Sequence, residues 1–141
     1  MPPFRIKRID HVVLRIADLD KSLHFYRDIL GCHLEKEQQD LGLIQLRAGA
    51  CLIDLVPLSG KLGAMGGKGP GKEGRNVDHI CLAIDPFVPE TLCSHLKAHD
   101  IAVTPQDIAS RYGAEGDGPS LYITDPDGNV VELKGPLGSV P

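Results

Sequence analysis

The same pattern of hydrophobic and polar positions occurs in two stretches of the chain, Ile9–Ile16 and Val77–Ile84. Each stretch consists of an aliphatic residue, Asp, His and a run of β-branched and aliphatic residues, which predicts a strand. On such a strand His11 shares a face with Arg15, and the alternate aliphatic residues point toward a covering element. His79 holds the same position in the second stretch. We therefore interpret the two stretches as copies of one unit.

Each copy is followed by helix and strand patterns in the same order. Apolar residues at helical spacing predict one helix over Leu19–Leu30, with Asp18 as its N-cap, and another over Glu90–Ala98. Short apolar runs predict the other strands: Cys32–Lys36, Leu43–Arg47 and Ala50–Val56 in the first copy, and Ile101–Thr104, Ser120–Thr124 and Asn129–Lys134 in the second. Pro126 and Gly128 lie in a five-residue stretch, Asp125–Asn129, that predicts the final hairpin turn.

The repeated order predicts an α+β fold in which two βαβββ modules form curved mixed sheets around a cleft, with the helices outside. We expect a single domain over residues 1–141, with module one at about 8–57, a linker at 58–75 and module two at about 76–135. The tail from 136 to 141 is expected to fray. The linker is rich in glycine and lysine, which is typical of a mobile connector or of a basic flap over an anionic ligand.

Composition narrows the class of protein. A chain of 141 residues is long enough to bury a substantial core without disulfides, and its four cysteines lack C-x-x-C spacing. The chain has no apolar run long enough for a signal peptide or a membrane span, so we expect a cytoplasmic protein that does not bind membranes. A net charge of −4 and the absence of tryptophan argue against nucleic acid as a partner and favour a small molecule.

Two lone carboxylates lie in otherwise apolar strands that end the two modules. Asp54 follows Leu52 and Ile53, and Glu132 follows two valines. A charge among apolar neighbours is costly unless it is paired or bound to a metal. Together with His11 and His79, these carboxylates would bind one divalent ion and leave positions open for water or substrate. His95 and His99 have i, i+4 spacing without a third ligand nearby, so we interpret them as surface residues.

With these motifs the chain resembles the vicinal oxygen chelate superfamily, which includes glyoxalase I, extradiol dioxygenases and methylmalonyl-CoA epimerase. The resemblance extends from Ile9 to Leu133. Its most specific segments are Ile9–Leu14, Asp20–Tyr26 with Leu30 and Gly31, Val77–Ile80, and Asp125–Leu133. The resemblance implies paired βαβββ modules with a divalent metal in their shared cleft, at positions matched here by His11, Asp54, His79 and Glu132. The identity of the ion stays open among Zn, Ni, Co, Mn and Fe.

The resemblance also implies roles for individual residues. Asp54 stands where glyoxalase I usually has glutamate, and its shorter stem puts direct metal contact in doubt. Arg15 matches the arginine that holds a glutathione carboxylate in glyoxalase I. Arg111 begins a segment, continuing to Tyr122, that is similar to a subgroup of small glyoxalase-like proteins, and we expect it to bind substrate.

Three functional hypotheses follow. The first is a metal-dependent lyase or isomerase of the glyoxalase I type, in which Glu132 moves a proton between neighbouring carbons of a small substrate such as a glutathione hemithioacetal. The second is an iron(II) dioxygenase of the extradiol type that uses two histidines and Glu132. The third is a binding protein without catalysis. We also expect a homodimer, because the strand edges and outer helices of this fold commonly pair.

Overall fold

The computed structural model describes residues 1–138, so the final three residues of the predicted domain and of the tail lie outside the described part. The chain divides into two compact units, Met1–Pro70 and the segment from Gly71 onward. The division falls inside the predicted linker. No helix within the described residues is both long and apolar enough to cross a membrane.

The first unit contains one four-stranded mixed sheet. Its strands are β1 (His11–Ile16), β2 (His33–Gln38), β3 (Leu43–Ala48) and β4 (Cys51–Pro57). They are ordered β1-β4-β3-β2, with β1 parallel to β4 and the other neighbours antiparallel. The first predicted βαβββ module is therefore confirmed.

The helix of the first unit joins β1 to β2. Helix α1 (Leu19–Leu23) begins where the side chain of Asp18 accepts a hydrogen bond from the backbone N–H of Lys21 at 3.1 Å, and the chain continues as a π-helical segment over His24–Ile29. The predicted N-cap is confirmed. The buried residues of this unit are mostly aliphatic and aromatic: Leu14, Ile16, Phe25, Tyr26, Leu46 and Leu55. They place the covering helix on the face of β1 opposite His11, as the alternation predicts.

The second unit repeats this arrangement. Its elements are β5 (His79–Ala83), α2 (Pro89–Ala98), a 3₁₀ turn (Pro105–Asp107), β6 (Ala109–Gly113), β7 (Gly116–Thr124) and β8 (Val130–Lys134). The sheet order is β5-β8-β7-β6, with β5 parallel to β8. Each unit has a four-stranded mixed sheet and few helical residues, so the α+β class is confirmed.

One predicted strand is wrong. Residues 101–104 have no regular structure, and the corresponding strand is β6, which begins at Ala109. The cause is local: Asp107 accepts hydrogen bonds from both the backbone N–H (2.8 Å) and the hydroxyl of Thr104. This capping box, followed by Pro105, starts a 3₁₀ turn and removes the N–H of Thr104 from any strand pairing.

The turn before β8 forms as predicted. Asp125 accepts hydrogen bonds through Oδ1 from the backbone N–H groups of Asp127 (2.9 Å) and Asn129 (2.8 Å), and through Oδ2 from the side-chain amide of Asn129 (2.8 Å). Gly128 takes φ 84°, which a residue with a side chain rarely adopts. Because this turn is closed by several bonds, it fixes the register of β7 and β8 and hence the position of Glu132.

The glycine-rich segment after β4 packs closely against the end of that strand. A Cβ added at Gly63 would overlap the backbone carbonyl of Pro57. We expect Gly63→Ala to lower the free energy of unfolding by about 2–4 kcal/mol, since the neighbouring backbone must move to relieve the clash. Chemical denaturation measures this change. Gly74→Ala, at a position with open space and ordinary φ, should change stability by less than about 0.5 kcal/mol.

Candidate functional site

The two repeated histidines make the same contact. His11 begins β1 and His79 begins β5, and in each case ring Nδ1 lies 2.7 Å from an Oδ1 oxygen of the preceding aspartate, Asp10 or Asp78. An ionised carboxylate can only accept, so Nδ1 carries the proton, and in the neutral ring Nε2 presents its lone pair. A histidine whose other ring nitrogen is held by a carboxylate is the usual arrangement of a metal ligand.

The aspartate contacts shift the proton affinities of these pairs. The hydrogen bond to Asp10 raises the pKa of His11, and the same bond lowers the pKa of Asp10. Asp78 likewise has its pKa lowered by the hydrogen bond to His79. Both aspartates therefore stay ionised and able to orient their imidazole rings over a wide pH range.

The two carboxylates lie on the same sheet faces as these histidines. In the first unit His11 is in register with Leu52 and Val13 with Asp54. In the second unit His79 is in register with Val130 and Cys81 with Glu132. Residues in register across parallel strands share a face, so each carboxylate is a diagonal neighbour of its histidine. Asp54 and Glu132 are only 2% and 5% exposed.

Asp54 has one oxygen without a hydrogen-bond partner. Its Oδ2 accepts from Nε2 of Gln45 at 3.3 Å, whereas its buried Oδ1 has no partner within residues 1–138. Burial raises the pKa of Asp54, against the opposing effects of Gln45 and His11. Leaving a buried acceptor unsatisfied costs about 1–3 kcal/mol. A cation bound at Oδ1 would remove that cost.

Glu132 lies against the second histidine. Its Oε1 is 3.4 Å from Nε2 of His79. The pKa of the nearby Cys81 thiol is raised, first by burial and then by the negative charge of Glu132 and a hydrogen bond to it. The Tyr122 ring meets His79 edge to face, with centroids 5.6 Å apart, and the Arg111 guanidinium lies 4.4 Å from the centre of the Tyr122 ring. The imidazole is thus oriented by Asp78 and by the edge-to-face contact with Tyr122, and its Nε2 lies beside the Glu132 carboxylate.

The four predicted ligands form two pairs, His11 with Asp54 in the first unit and His79 with Glu132 in the second. Within residues 1–138 no group of three or more His, Cys, Asp or Glu side chains is arranged to hold a metal ion. The predicted four-ligand centre therefore stays a prediction. The donor chemistry of the pairs fits a divalent ion, because each offers one imidazole nitrogen and one buried carboxylate, and Asp54 Oδ1 lacks any other partner.

Comparison with known proteins identifies the family. Residues 8–133 match the Glyoxalase/Bleomycin resistance protein/Dioxygenase superfamily. The chain belongs to this superfamily. Members of the superfamily are usually metal-dependent enzymes, and members related to this chain include proteins named as lyases and as a dioxygenase.

Relatives within the superfamily carry different names. Virulence protein STM3117 of Salmonella typhimurium is 28% identical over 129 residues, which are 91% of this chain and 83% of that protein. Its crystal structure superposes with a TM-score of 0.76 at 26% identity, covering 95% of this chain and all of that one. A probable lactoylglutathione lyase of Vibrio cholerae is 27% identical, covering 89% and 88% of the two chains. Biphenyl-2,3-diol 1,2-dioxygenase 3 of Rhodococcus globerulus is 28% identical, covering 90% and 62%.

The two arginines expected to bind substrate have partners in their own units. Arg111 donates from Nη1 to the carbonyl (2.9 Å) and hydroxyl (2.8 Å) oxygens of Ser120. Arg15 donates to the backbone carbonyls of the glycine-rich segment, reaching Gly63 at 2.9 and 3.1 Å and Lys68 at 3.1 Å, and also Gly67. Their substrate-binding roles stay predictions.

The contacts of Arg15 predict a testable effect on this segment. Lysine cannot hold several carbonyls at once, because it lacks the planar fork of the guanidinium. We expect Arg15→Lys to accelerate tryptic cleavage after Lys61 and Lys68 by about tenfold, as expected for losing one or two hydrogen bonds. Arg8→Lys, at an exposed position, is the control. Equal cleavage of both variants would show that other contacts hold the segment.

Two residues of the candidate site could not be assigned to it from the sequence. Gln45, opposite Asp54 in the β3–β4 register, and Tyr122, opposite Glu132 in the β7–β8 register, are recognisable only once the strand pairing is known. The sequence does mark Gln45 as unusual, because it is a polar residue between the apolar residues Ile44 and Leu46 of a strand. His95 and His99, in contrast, meet each other edge to face with ring centroids 5.0 Å apart.

Proposed function

We propose that the protein is a cytoplasmic, metal-dependent lyase or isomerase of the glyoxalase I type, acting on a small substrate with two adjacent oxygen atoms. The observation that carries the proposal is the repeated Asp–His pair, each beside a buried carboxylate on the same sheet face. All four cysteines are free thiols, which agrees with a reducing compartment. The relative in Vibrio cholerae that is named a probable lactoylglutathione lyase supports the reaction type.

In this proposal His11, Asp54, His79 and Glu132 together hold one divalent ion. The ion would supply Lewis acidity and open positions for the adjacent oxygens of the substrate. These ligands do not select among Zn, Ni, Co, Mn and Fe, since all five ions accept nitrogen and oxygen ligands. Asp10 and Asp78 fix the ring orientations and direct each Nε2 away from the aspartate.

Glu132 is the residue assigned to proton transfer. It is almost fully buried, it lies on a strand fixed by the Asp125–Asn129 turn, and its Oε1 lies 3.4 Å from Nε2 of His79. A buried, positioned carboxylate can take a proton from one carbon and return it to the next without exchange with bulk water. Asp54, which has a shorter side chain and a hydrogen bond from Gln45, is assigned to metal binding alone.

The direct test follows the hemithioacetal of methylglyoxal and glutathione with wild-type protein saturated in turn with each of the five metals. Metal-dependent loss of the hemithioacetal supports the proposal. Absence of turnover with every metal would overturn the assignment to this lyase reaction.

A dioxygenase is the second candidate function. The contact between His79 and Glu132, with His11 as a second imidazole, supplies the two histidines and one carboxylate that suit iron(II) and oxygen. The Rhodococcus relative named as a biphenyl-diol dioxygenase favours it as well. Oxygen uptake by the iron-loaded protein with catechols would select this function, whereas metal-independent ligand binding would select a non-catalytic role.

The proposal includes a homodimer. Strands β1 and β2 end one sheet and β5 and β6 end the other, and unpaired strand edges favour symmetric association. We expect sedimentation equilibrium to give twice the chain mass at micromolar concentration. A monomer mass that does not change with concentration would contradict this part of the proposal.

A further inference from the structure

Two glutamine side chains form a hydrogen-bonded chain that leads to Asp54 across three strands of the first sheet. Nε2 of Gln38 in β2 donates to Oε1 of Gln45 in β3 at 3.1 Å, and Nε2 of Gln45 donates to Oδ2 of Asp54 in β4 at 3.3 Å. Both glutamines are half-buried, whereas Asp54 is 2% exposed. We call Gln38 and Gln45 the amide relay.

The strand register explains why these three side chains meet. Gln45 is directly opposite Asp54 in the β3–β4 pairing, so the two side chains share a face of the sheet. Gln38 is paired with Leu43, two residues before Gln45, which makes the two glutamines diagonal neighbours on that face. Diagonal neighbours are about 7–8 Å apart at the backbone, a distance that long side chains can span. Glutamine at both positions therefore closes the chain.

The amide relay has one favourable direction. An ionised carboxylate only accepts hydrogen bonds, so the Gln45 amide must turn its Nε2 toward Asp54. Its Oε1 then faces Gln38 and accepts the hydrogen bond from that residue. Reversing the Gln45 amide would place oxygen against oxygen at Asp54 and one NH₂ group against another at Gln38. Gln38 therefore holds Gln45 in the orientation that Asp54 requires.

The amide relay makes the two oxygens of Asp54 unequal. Oδ2 accepts from Gln45, whereas the buried Oδ1 has no partner within residues 1–138. A carboxylate that binds a metal is usually oriented by a hydrogen bond of this kind. Because Asp54 is almost fully buried, water cannot readily replace the amide. The chain thus leaves Oδ1 as the oxygen available to a cation.

The second unit has no such relay at its carboxylate within residues 1–138. Tyr122 is opposite Glu132 in the β7–β8 register, and its ring lies edge to face against His79. The contacts of Glu132 are with His79 and with the Cys81 thiol. An amide therefore fixes the carboxylate assigned to metal binding alone, and not the carboxylate assigned to proton transfer.

We propose that Gln45, held by Gln38, is a positioning residue that makes Asp54 a metal ligand through Oδ1 alone. The inference rests on the proposed function, from which it takes the divalent ion and the role of Asp54. It adds the way in which the chain prepares this ligand. The amide occupies Oδ2 and fixes the carboxylate before any ion is bound, so less ordering is required on binding.

The first test is calorimetric titration of metal-free protein with Zn²⁺ and, in parallel, with Ni²⁺. Gln45→Leu removes the donor at Oδ2 and should weaken binding of the ion by about 10- to 100-fold, the usual effect of losing a residue that orients a ligand. Gln38→Leu leaves the Gln45 amide in place but free to turn, and should weaken binding by only about 2- to 5-fold. Gln39→Leu, at an exposed position in the turn after β2, should bind as wild type.

The outcomes separate this inference from the proposed function. Equal affinity of the wild type and Gln45→Leu would overturn the role of Gln45 and leave the metal site standing. Absence of binding of both ions by the wild type would contradict the proposed function, and the inference would fail with it.

A double-mutant cycle tests whether Gln45 acts through Asp54. If it does, Gln45→Leu should cause no further loss of affinity, within about twofold, in protein that already carries Asp54→Asn. A loss as large as in the wild-type background would show that Gln45 affects the ion by another route, such as a general change in the sheet, and would overturn the inference.

The side-chain amide signals of ¹⁵N-labelled protein give a readout that does not depend on activity. Addition of Zn²⁺ should shift the Gln45 NH₂ signals in proportion to the bound ion, because charge is withdrawn from the carboxylate that accepts their hydrogen bond. The Gln39 signals should stay in place, and Asp54→Asn should remove the shift at Gln45. Binding of Zn²⁺ by the wild type without a shift at Gln45 would contradict the proposed coupling between Gln45 and Asp54.

Discussion

Glu132→Gln is expected to reduce turnover of the hemithioacetal at least about 10²-fold with metal held saturating, the scale of general-base catalysis. Glutamine keeps the shape of the side chain and one oxygen near Nε2 of His79, but it cannot accept a proton. The position is buried at 5% exposure, so water cannot readily replace the lost carboxylate. Initial rates measured across metal concentrations separate loss of the base from loss of the ion.

Asp54→Asn is the matched control for that variant, because the repeat places Asp54 and Glu132 at corresponding positions. The change should weaken metal affinity, since Oδ1 is the buried oxygen without a partner. Turnover should return near the wild-type value once the ion is saturating. If Asp54→Asn stays inactive under those conditions while Glu132→Gln works, the base is Asp54 and the assignment is reversed.

His79→Ala is expected to abolish stoichiometric binding of the divalent ion. The variant removes an imidazole that is oriented by Asp78 at 2.7 Å and that lies 3.4 Å from Glu132. Loss of a ligand and of its oriented neighbours should lower affinity by at least about 100-fold. Equilibrium dialysis followed by metal analysis gives the number of ions per chain.

The control for this variant is His95→Ala, on helix α2. His95 lies beside His99, away from the repeated strands in sequence, and its removal should leave the metal content intact. Equal loss in the two variants would mean that the ion binds elsewhere or that the signal reflects nonspecific histidine binding.

The sequence predicts the parts of this protein that repeat. The Asp–His dipeptides open both parallel strand pairs, and the alternation around His11 correctly places Leu14 and Ile16 in the core. Period-two patterns are reliable here because one face of each strand packs against apolar residues. The Asp125–Asn129 turn was also predicted, since its bonds are formed among residues within four positions of each other.

The features that could not be predicted depend on contacts between distant residues. The strand expected at Ile101–Thr104 is replaced by a capping box, which competes locally with an apolar pattern. Arg15 meets carbonyl groups 48 or more positions away, and Gln45 is recognisable as a partner of Asp54 only when β3 is paired with β4. Sequence spacing carries no signal for such contacts.

Metal binding is tested most directly by a quantitative metal titration of wild-type protein purified without chelators. We predict one tightly bound divalent ion per chain, shared by the His11–Asp54 and His79–Glu132 pairs. Two equivalent ions per chain would show that each pair binds alone, and the absence of a stoichiometric ion would remove the metal from the mechanism. Either result would contradict a single ion shared by the two pairs.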